Sequence, residues 1–435
     1  MINLMKKILE WKLRILARWI LMRYKPQIVG ITGSVGKTST KEAVYTVLSS
    51  KFRVRKNIKN YNNEFGVPLS IIGVESGYKN PLVWLWIFIK AVGLLVWKSR
   101  RYPEILVLEM GADKPGDIKY LTQLAPCRVG VITALGPVHL ELFGSMEKLV
   151  REKHQIVIHL KKDDTAVLNA DDQMVMAVQG KIRSQVLTFG FSETADVRAS
   201  EVDVSAGPSA DPWVDVQIKG LSFKIMYQGS IVPVFFPSVL GEHQVYIALA
   251  AAAVGLAFGM NLADVSAALK GYSSPAGRMR LLPGIKNTSI IDDSYNSSPM
   301  AVKAALNVLE KLKVSGRKFV VLGDMLELGQ YTEAGHKEVG EAVAHVADVL
   351  VTVGSRAKII AQTAISIGLP EEGVFEFGRA EEAGKFVQER IKMGDIILVK
   401  GSQGARTEKV VKELMADPEK AAHLLVRQGP EWDRK

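Results

Sequence analysis

An α/β protein with two domains, each built on a mostly parallel sheet, is what this sequence predicts, and three observations predict it. Short apolar runs alternate with helical stretches in two separate regions. The 435 residues are more than one core ordinarily organises. A cluster of Ser, Pro and Gly at 274–277 separates the two regions. Hydrophobic residues make up 48% of the chain and charged ones 23%, with no low-complexity tract, which excludes a disordered or fibrous protein.

Residues 1–25 open the chain as a basic amphipathic helix. Leu4, Ile8, Trp11, Ile15, Trp19 and Met22 recur three or four residues apart until Pro26 stops the pattern. Lys6, Lys7, Lys12, Arg14, Arg18, Arg23 and Lys25 stand against Glu10, so this segment holds a net of six (seven minus one) of the +11 formal charge. Arg14 and Arg18 interrupt what would be the apolar core of an export signal and no small-residue cleavage site follows, so the expected location is cytoplasmic. The basic excess has no RNA-binding aromatic signature or helix-turn-helix pattern beside it, which argues against nucleic acid.

From Gln27 the order is a strand (QIVGIT), a glycine-rich turn and a polar helix start at 39–42. Further strands read at ILVLEMG (105–111), VGVIT (129–133) and TAVLNA (165–170). Between 82 and 97 the run LVWLWIFIKAVGLLVW carries a single charge, Lys90, and precedes Lys98, Arg100 and Arg101. It is shorter than the ~20 residues that span a bilayer, so a buried core helix or an interfacial segment is expected within an apolar insertion at 79–102. Residues 185–240 read as a strand-rich elaboration and 244–259 as an alanine-rich helix. The second alternating region has strands at SIIDDS, KFVVLGD, DVLVTVG and DIILVKGS. The expected organisation is therefore a helix at 1–25, a central domain at 26–275 and a C-terminal Rossmann-like domain at 276–435.

The strongest motif is GITGSVGKTST at 30–40. Successive N–H groups of Gly33, Ser34, Val35, Gly36, Lys37, Thr38 and Ser39 can surround an anion at a helix start. Lys37 can reach the β and γ phosphates of ATP and Thr38 can ligate magnesium. The central domain is thus expected to be a P-loop-type ATP-binding domain, although the strict spacing would place glycine at Ile31. Glu109 ends a strand beside this turn, where a carboxylate completes a magnesium site with Thr38, and His139 follows the next strand onto the same sheet edge. The lone Cys127, with no Cys/His cluster around it, reads as a small buried apolar residue.

The variant spacing of the turn, together with YNNEFGVP (61–68), LEMGADKPGDI (108–118), HLELFGSMEKLVREK (139–153), DDSYNSSP (292–299), GDMLELG (323–329) and KGSQGAR (400–406), resembles the Mur ligases over roughly residues 27–415. The branch that adds D-alanyl-D-alanine is the one SYNSSP resembles, since other branches carry an Ala-His or His-Asn pair near that place. The resemblance implies an ATP-dependent, magnesium-requiring ligase that activates a carboxylate as an acyl phosphate and joins it to an amine, with UDP-N-acetylmuramoyl-tripeptide and D-alanyl-D-alanine as substrates in peptidoglycan synthesis. It implies that Lys37, His139 and Lys153 are catalytic. Thr38, Glu109, His139 and Lys153 would hold metal, with Lys153 carrying a carbamate. Gln244, Arg278, Asp293 and Asn296 fall at nucleotide positions, and Asn62, Asn63, Tyr295, His336 and Lys400 at substrate positions, with Ser402 beside Lys400. In GEHQVYIAL, Gln244 and Ile247 stand where the family usually has asparagines.

The uridine-binding domain that family members carry before the ATP domain has no counterpart in the 25 residues that precede it here. This leaves a second reading open, a related amide ligase or amidotransferase acting on a different carboxylate, of which a lipid-linked one is an example. The helix 1–25 and the run 82–97 then form either a membrane-facing surface, giving peripheral association at the inner face of the membrane, or a pair of helices packed on each other. The expected oligomeric state is a monomer.

Overall fold

The computed structural model describes residues 2–58, 61–78, 80–136, 140–207, 217–429 and 432. It forms two compact units. The first comprises Met1–Glu201, Phe223–Val234 and Val245–Tyr272; the second comprises Val202–Ser222, Phe235–Gln244 and Ser273–Lys435.

The first unit begins with α1 (Ile2–Tyr24), β1 (Gln27–Thr32), α2 (Lys37–Ser49), β2 (Val54–Lys56), α3 (Gly66–Ile72) and α4 (Pro81–Val96). It continues through β3 (Ile105–Glu109), α5 (Asp117–Leu124), β4 (Val129–Ile132), α6 (Leu140–Phe143), α7 (Met146–Ile158), β5 (Thr165–Asn169), α8 (Gln173–Met176) and β6 (Gln185–Gly190). The strands lie in the order β2-β3-β1-β4-β5-β6, all parallel. Their near-continuous apolar runs are what a sheet covered on both faces requires. Register sets the site: Ile31 lies opposite both Glu109 and Val131, so the carboxyl ends of β1, β3 and β4 finish at one edge. The sheet runs on through β7 (Val197–Gly207), β8 (Gln217–Tyr227) and β9 (Ser230–Pro237), long strands whose residues divide between the two units. They are followed by α9 (Glu242–Ala257) and α10 (Leu262–Leu269).

Two apolar segments take positions that the sequence left open. The face of α1 that packs into the core is Leu13, Ala17 and Ile20, joined by Leu9, Leu16, Leu21 and Tyr24. The stripe that the spacing singled out faces outward, with Ile8, Trp11, Trp19 and Met22 exposed. The helix is apolar on two sides, and periodicity alone could not say which side the core would take. The run at 82–97 forms α4, started by Asn80, whose side chain accepts the N–H groups of Leu82 and Val83, and by Pro81 in the first turn. Only Ile87 and Ala91 of α4 are fully buried, so it is no core helix. It packs on α1 and α3 by that one edge. No helix among the described residues is long and apolar enough to cross a membrane. Cys127 is buried as expected, and burial pushes its thiol up to about 12.

The second unit holds β10 (Arg280–Gly284), β11 (Thr288–Asp293), α11 (Pro299–Lys311), β12 (Lys318–Gly323), α12 (Thr332–Ala344), β13 (Val349–Val353), α13 (Lys358–Ile367), β14 (Val374–Phe377), α14 (Ala380–Arg390), β15 (Ile396–Lys400), α15 (Glu408–Leu414) and α16 (Ala421–Leu424). Strand order is β10-β11-β15-β12-β13-β14, parallel except for the edge pair β10–β11. One core lies between the sheet and α11, α12 and α13, the other between the sheet and α14 and α15. The edge strand β14 escaped the sequence reading because it is only four residues long, VFEF, too short a run for a strand pattern to stand out, with Val374, Phe375 and Phe377 partly buried and Glu376 exposed.

Phe319, fully buried at the centre of this sheet, makes a test of the second core. Phe319→Ala is expected to lower stability by about 3–5 kcal/mol, read as a reduced urea midpoint with an unchanged slope.

Candidate active site

The turn between β1 and α2 is shaped by two glycines. Gly33 has φ of 151° and Gly36 has φ of 84°, and a Cβ on Gly33 would lie 2.0 Å from Thr133 Oγ1. Only glycine fits such close backbone approach. The turn is braced from the β4 side: Ser34 N–H donates to Ala134 O at 2.7 Å, Ser34 Oγ to Gly136 O at 3.0 Å, and Thr133 Oγ1 to Val35 O at 2.6 Å. Ser39 is buried in the first turn of α2. The Lys37 ammonium curls back over the turn, donating to Gly33 O at 2.8 Å and Ser34 O at 3.3 Å.

Beneath this turn lies Glu109, 2% exposed at the end of β3. Thr38 Oγ1 donates to its Oε2 at 2.9 Å, Asn62 Nδ2 to its Oε1 at 3.0 Å, and the buried Lys41 ammonium stands 3.8 Å from Oε2. Asn57 clamps the same residue through its backbone, accepting Glu109 N–H at 3.0 Å and donating to Glu109 O at 3.2 Å. A hydroxyl and a carboxylate at the start of a phosphate-binding helix are the hard oxygen donors that magnesium takes when phosphates supply the rest. Asn63 turns to local structure, its Oδ1 accepting the N–H groups of Phe65 and Gly66 where α3 begins. His139 lies outside the described residues. Among the described residues no group of three or more His, Cys, Asp or Glu side chains could hold a metal.

Lys153 is 3% exposed on α7. Among the described residues it forms no hydrogen bond or ion pair. Burial, then the charge of Lys37, lowers its amine to about 7, against an opposing pull from Glu152, Asp113 and Glu109. It is thus a buried amine whose neutral form is accessible near neutral pH, within the field of Lys37 and Glu109. Its neighbour Glu152 accepts Gly116 N–H at 2.8 Å and Ile118 N–H at 2.7 Å, fixing the loop that follows β3.

In the second unit, Asp293 and Lys400 are paired across β11 and β15 and meet at 2.6 Å. Lys400 also donates to Asn296 O at 2.9 Å, and Asp293 Oδ1 accepts Met279 N–H at 3.2 Å. The Arg278 guanidinium lies 4.0 Å over the Tyr295 ring, with its Nε buried and without a hydrogen-bond partner among the described residues. Gln244 Nε2 faces Arg278 O at 3.4 Å. Asn296 is exposed. Asp292 is fully buried, and burial raises it to about 6 against the hydrogen bonds from Ser294. Ser402 Oγ accepts Leu326 N–H at 2.9 Å, tying the KGSQGAR and GDMLELG loops together.

His336, expected at a substrate position, is held by the backbone instead. It is fully buried, Nδ1 donates to Thr332 O at 2.6 Å and Nε2 accepts Met325 N–H at 3.2 Å. Both ring nitrogens hold the GDMLELG loop, and burial lowers the imidazole below its ordinary value.

Several participants were missed. Lys41 sits one helical turn after Lys37, a spacing that places both on one side of α2. His243, beside Gln244, lies within the fields of Asp293, Lys400 and Arg278, and burial lowers its ring. Arg427 donates to Ser294 O and Tyr295 O and pairs with the buried Glu408 at 3.0 Å. Its distance along the chain left no local signal.

Comparison with known proteins agrees with this geometry. The family described as the Mur ligase middle domain matches residues 31–80 and 94–255, and the one described as the Mur ligase glutamate ligase domain matches 277–403. The UDP-N-acetylmuramoyl-tripeptide–D-alanyl-D-alanine ligase of Bacillus subtilis is 32% identical over 404 residues, 93% of this chain and 79% of the relative. That of Escherichia coli is 29% identical over 403 residues, 92% and 79% of the two chains. Among solved structures, MurF from Acinetobacter baumannii superposes with a TM-score of 0.76 at 26% identity, covering 94% of this chain and 80% of that one. MurF from Thermotoga maritima in complex with ADP gives 0.73 at 27% identity, covering 94% and 84%. With the phosphate turn, the buried Glu109 and both matched domains in agreement, the chain belongs to the Mur ligase family of ATP-dependent ligases.

Proposed function

We propose that this chain joins D-alanyl-D-alanine to the terminal carboxylate of UDP-N-acetylmuramoyl-tripeptide, hydrolysing ATP to ADP and phosphate. The observation that carries the reading is the buried Glu109, held by Thr38 and Asn62 beneath a phosphate turn with Lys153 in its field. The names of the relatives supply the substrates. The reaction belongs in the cytoplasm, where ATP and a UDP-linked precursor are made, and needs no second copy of the chain.

In the first step a carboxylate oxygen of the tripeptide attacks the γ phosphorus and the bond to the β-phosphate oxygen breaks, giving an acyl phosphate and ADP. The amine of D-alanyl-D-alanine then adds to the acyl carbon and gives up a proton, and the tetrahedral adduct expels phosphate with breakage of the C–O bond to leave an amide. Lys37 leaves the carbonyls of Gly33 and Ser34 to follow charge on the transferred phosphoryl group, and the turn's N–H groups hold the β phosphate. Thr38 and Glu109 would hold magnesium, which when bound would supply charge neutralisation at the phosphates. The Lys153 amine is free to add to carbon dioxide: its lone pair forms the N–C bond, a proton leaves, and the product is an anionic carbamate. With His139, that carbamate is assigned to a second ion. Arg278, Asp293, Asn296 and Gln244 are assigned to the nucleotide. Asn62, Asn63, Tyr295 and Lys400 are assigned to substrate, directly or by shaping the loops that carry it. His336 is withdrawn from that set.

Phosphate release should require ATP, magnesium, the muramoyl tripeptide and D-alanyl-D-alanine together, with a pentapeptide product by mass spectrometry. A folded, ATP-binding protein that gives no turnover would move the assignment to a different carboxylate, the lipid-linked class first. Lys37→Ala should cut kcat by about a thousandfold or more, the scale of losing charge stabilisation on a transferring phosphoryl group. Glu109→Gln should raise the magnesium concentration needed for half-maximal rate by about tenfold or more while the protein stays folded.

Lys153 gives the pH dependence. Below pH of about 7 its ammonium form prevails and cannot add carbon dioxide, so activity falls as pH drops through about 7, and added bicarbonate should restore part of it. Stability has a definite sign as well. Between about 7 and the ordinary 10.5, the unfolded chain holds a proton on this lysine that the folded, uncarbamylated chain lacks, so stability rises with pH across that window. Lys153→Met should flatten that rise in thermal melts and abolish the bicarbonate effect.

A further inference from the structure

The outer faces of α1 and α4 have no role in the ligase chemistry. On α1 the exposed residues Ile8, Trp11, Trp19 and Met22 form one stripe, opposite the face that enters the core, and Trp11 is 61% exposed. Basic residues border it, with Lys7, Lys12, Arg18 and Arg23 all exposed. On α4 the exposed residues Leu82, Leu85, Trp86, Ile89, Val92 and Val96 make up a second stripe that ends in Trp97, itself 75% exposed. Large apolar side chains left outward this densely on neighbouring helices mark an interaction surface.

Three further features say what kind. Charge is the first. No acidic residue occurs between Pro81 and Arg101, while Lys98, Arg100 and Arg101 follow the apolar stripe. The one charge within α4 is turned away from the outer face, with the Lys90 ammonium donating inward to Gly73 O at 2.8 Å. Secondly, Lys25, Lys98 and Arg100 line a shallow recess with Tyr24 and Tyr102 where the two helices end. Glu104 and Arg53 also line it and are paired with each other at 2.8 Å, which leaves Lys25, Lys98 and Arg100 in excess. Thirdly, the last carbonyls of α4 face donors within the protein: the single Tyr24 O–H lies 3.0 Å from Leu94 O and 3.2 Å from Trp97 O and serves one or the other, and Arg23 Nη2 donates to Val96 O at 3.2 Å. A helix end supplied with its own donors does not need water there. Trp and aliphatic side chains facing outward, bordered by Lys and Arg, are the composition of a helix lying at a lipid headgroup boundary. At 16 residues, α4 reaches about 24 Å, short of a bilayer core of ~30 Å, so it lies on the surface and does not cross it.

We propose that α1 and α4 together dock the first unit on an anionic phospholipid surface, with the tryptophans and aliphatic residues at the headgroup boundary and the recess at Lys25, Lys98 and Arg100 receiving a lipid phosphate. The docking is independent of the substrate assignment, because it uses no residue of the phosphate turn or of the second unit.

Vesicle flotation of the full chain tests it. The parent should float with phosphatidylcholine vesicles containing about a quarter phosphatidylglycerol, float poorly with phosphatidylcholine alone, and detach at high salt. Its tryptophan emission should shift to the blue on adding the anionic vesicles. Two variants separate the contributions: Trp11→Ser/Trp19→Ser/Leu85→Ser/Trp97→Ser, and Lys98→Glu/Arg100→Glu/Arg101→Glu. Each should reduce the bound fraction by about tenfold with ATP binding unchanged, because all these side chains are exposed. A parent that stays at the bottom of the gradient with anionic vesicles overturns the proposal, as does equal flotation of parent and variants. A concentration-dependent dimer in sedimentation that the four-serine variant dissociates, without vesicle binding, would give the face to a second copy of the chain and overturn it too.

Discussion

A carboxylate buried among amines at the ends of parallel strands is the constraint on which the first unit's chemistry rests. Glu109 is almost wholly out of water, and such a charge is tolerated only with hydrogen bonds and opposite charge around it. Thr38, Asn62 and Lys41 supply them directly, and Asn57 holds the strand end in place. Lys41 stands beside this carboxylate, Lys37 and Lys153 lie within each other's field, and the N-terminus of α2 adds positive potential. The surplus is what an anion with several charges would relieve. It is also what drives the Lys153 amine toward neutrality, because burial and Lys37 both penalise its ammonium form. Phosphate binding and a reactive lysine thus come from one electrostatic arrangement.

The second unit solves a different problem with consecutive acids. Successive residues of a strand point to opposite faces, so Asp292 and Asp293 serve separate partners. Asp293 neutralises Lys400 across two parallel strands, while Asp292 accepts the N–H groups of Gly277 and Ser294 and shapes the turn into Tyr295. Arg427 reaches the carbonyls of Ser294 and Tyr295 from near the chain's end while paired with Glu408. Here the charges are matched in pairs, and the interactions set loop geometry more than they create a field.

The strands that carry the two sheets were legible because parallel strands buried on both faces are written as short apolar runs, and QIVGIT matches β1 to the residue. The phosphate turn was legible because glycine, lysine and threonine at that spacing have few other uses. Lys153 was not, since a lysine on an amphipathic helix looks solvated until packing buries it; only resemblance to a family marked it. Resemblance puts the fully buried His336 at a substrate position, but motif position does not reveal that both of its ring nitrogens are engaged by backbone. Long-range partners such as Arg427, more than a hundred residues from the turn it supports, leave no pattern that spacing can detect.

The two-sided apolar character of α1 bears on how freely its sequence can drift. An ordinary surface helix keeps one constrained face and lets the other vary, so roughly half its positions accept substitution. In α1 the core claims Leu13, Ala17 and Ile20 while the opposite side displays Ile8, Trp11, Trp19 and Met22. What remains between the two faces is a narrow set of basic positions, where exchange of lysine for arginine changes little but a change of sign changes the character of the surface. Variation among close relatives of this chain should therefore concentrate in that set and be chemically conservative there, a signature that a helix serving only to fill space would lack.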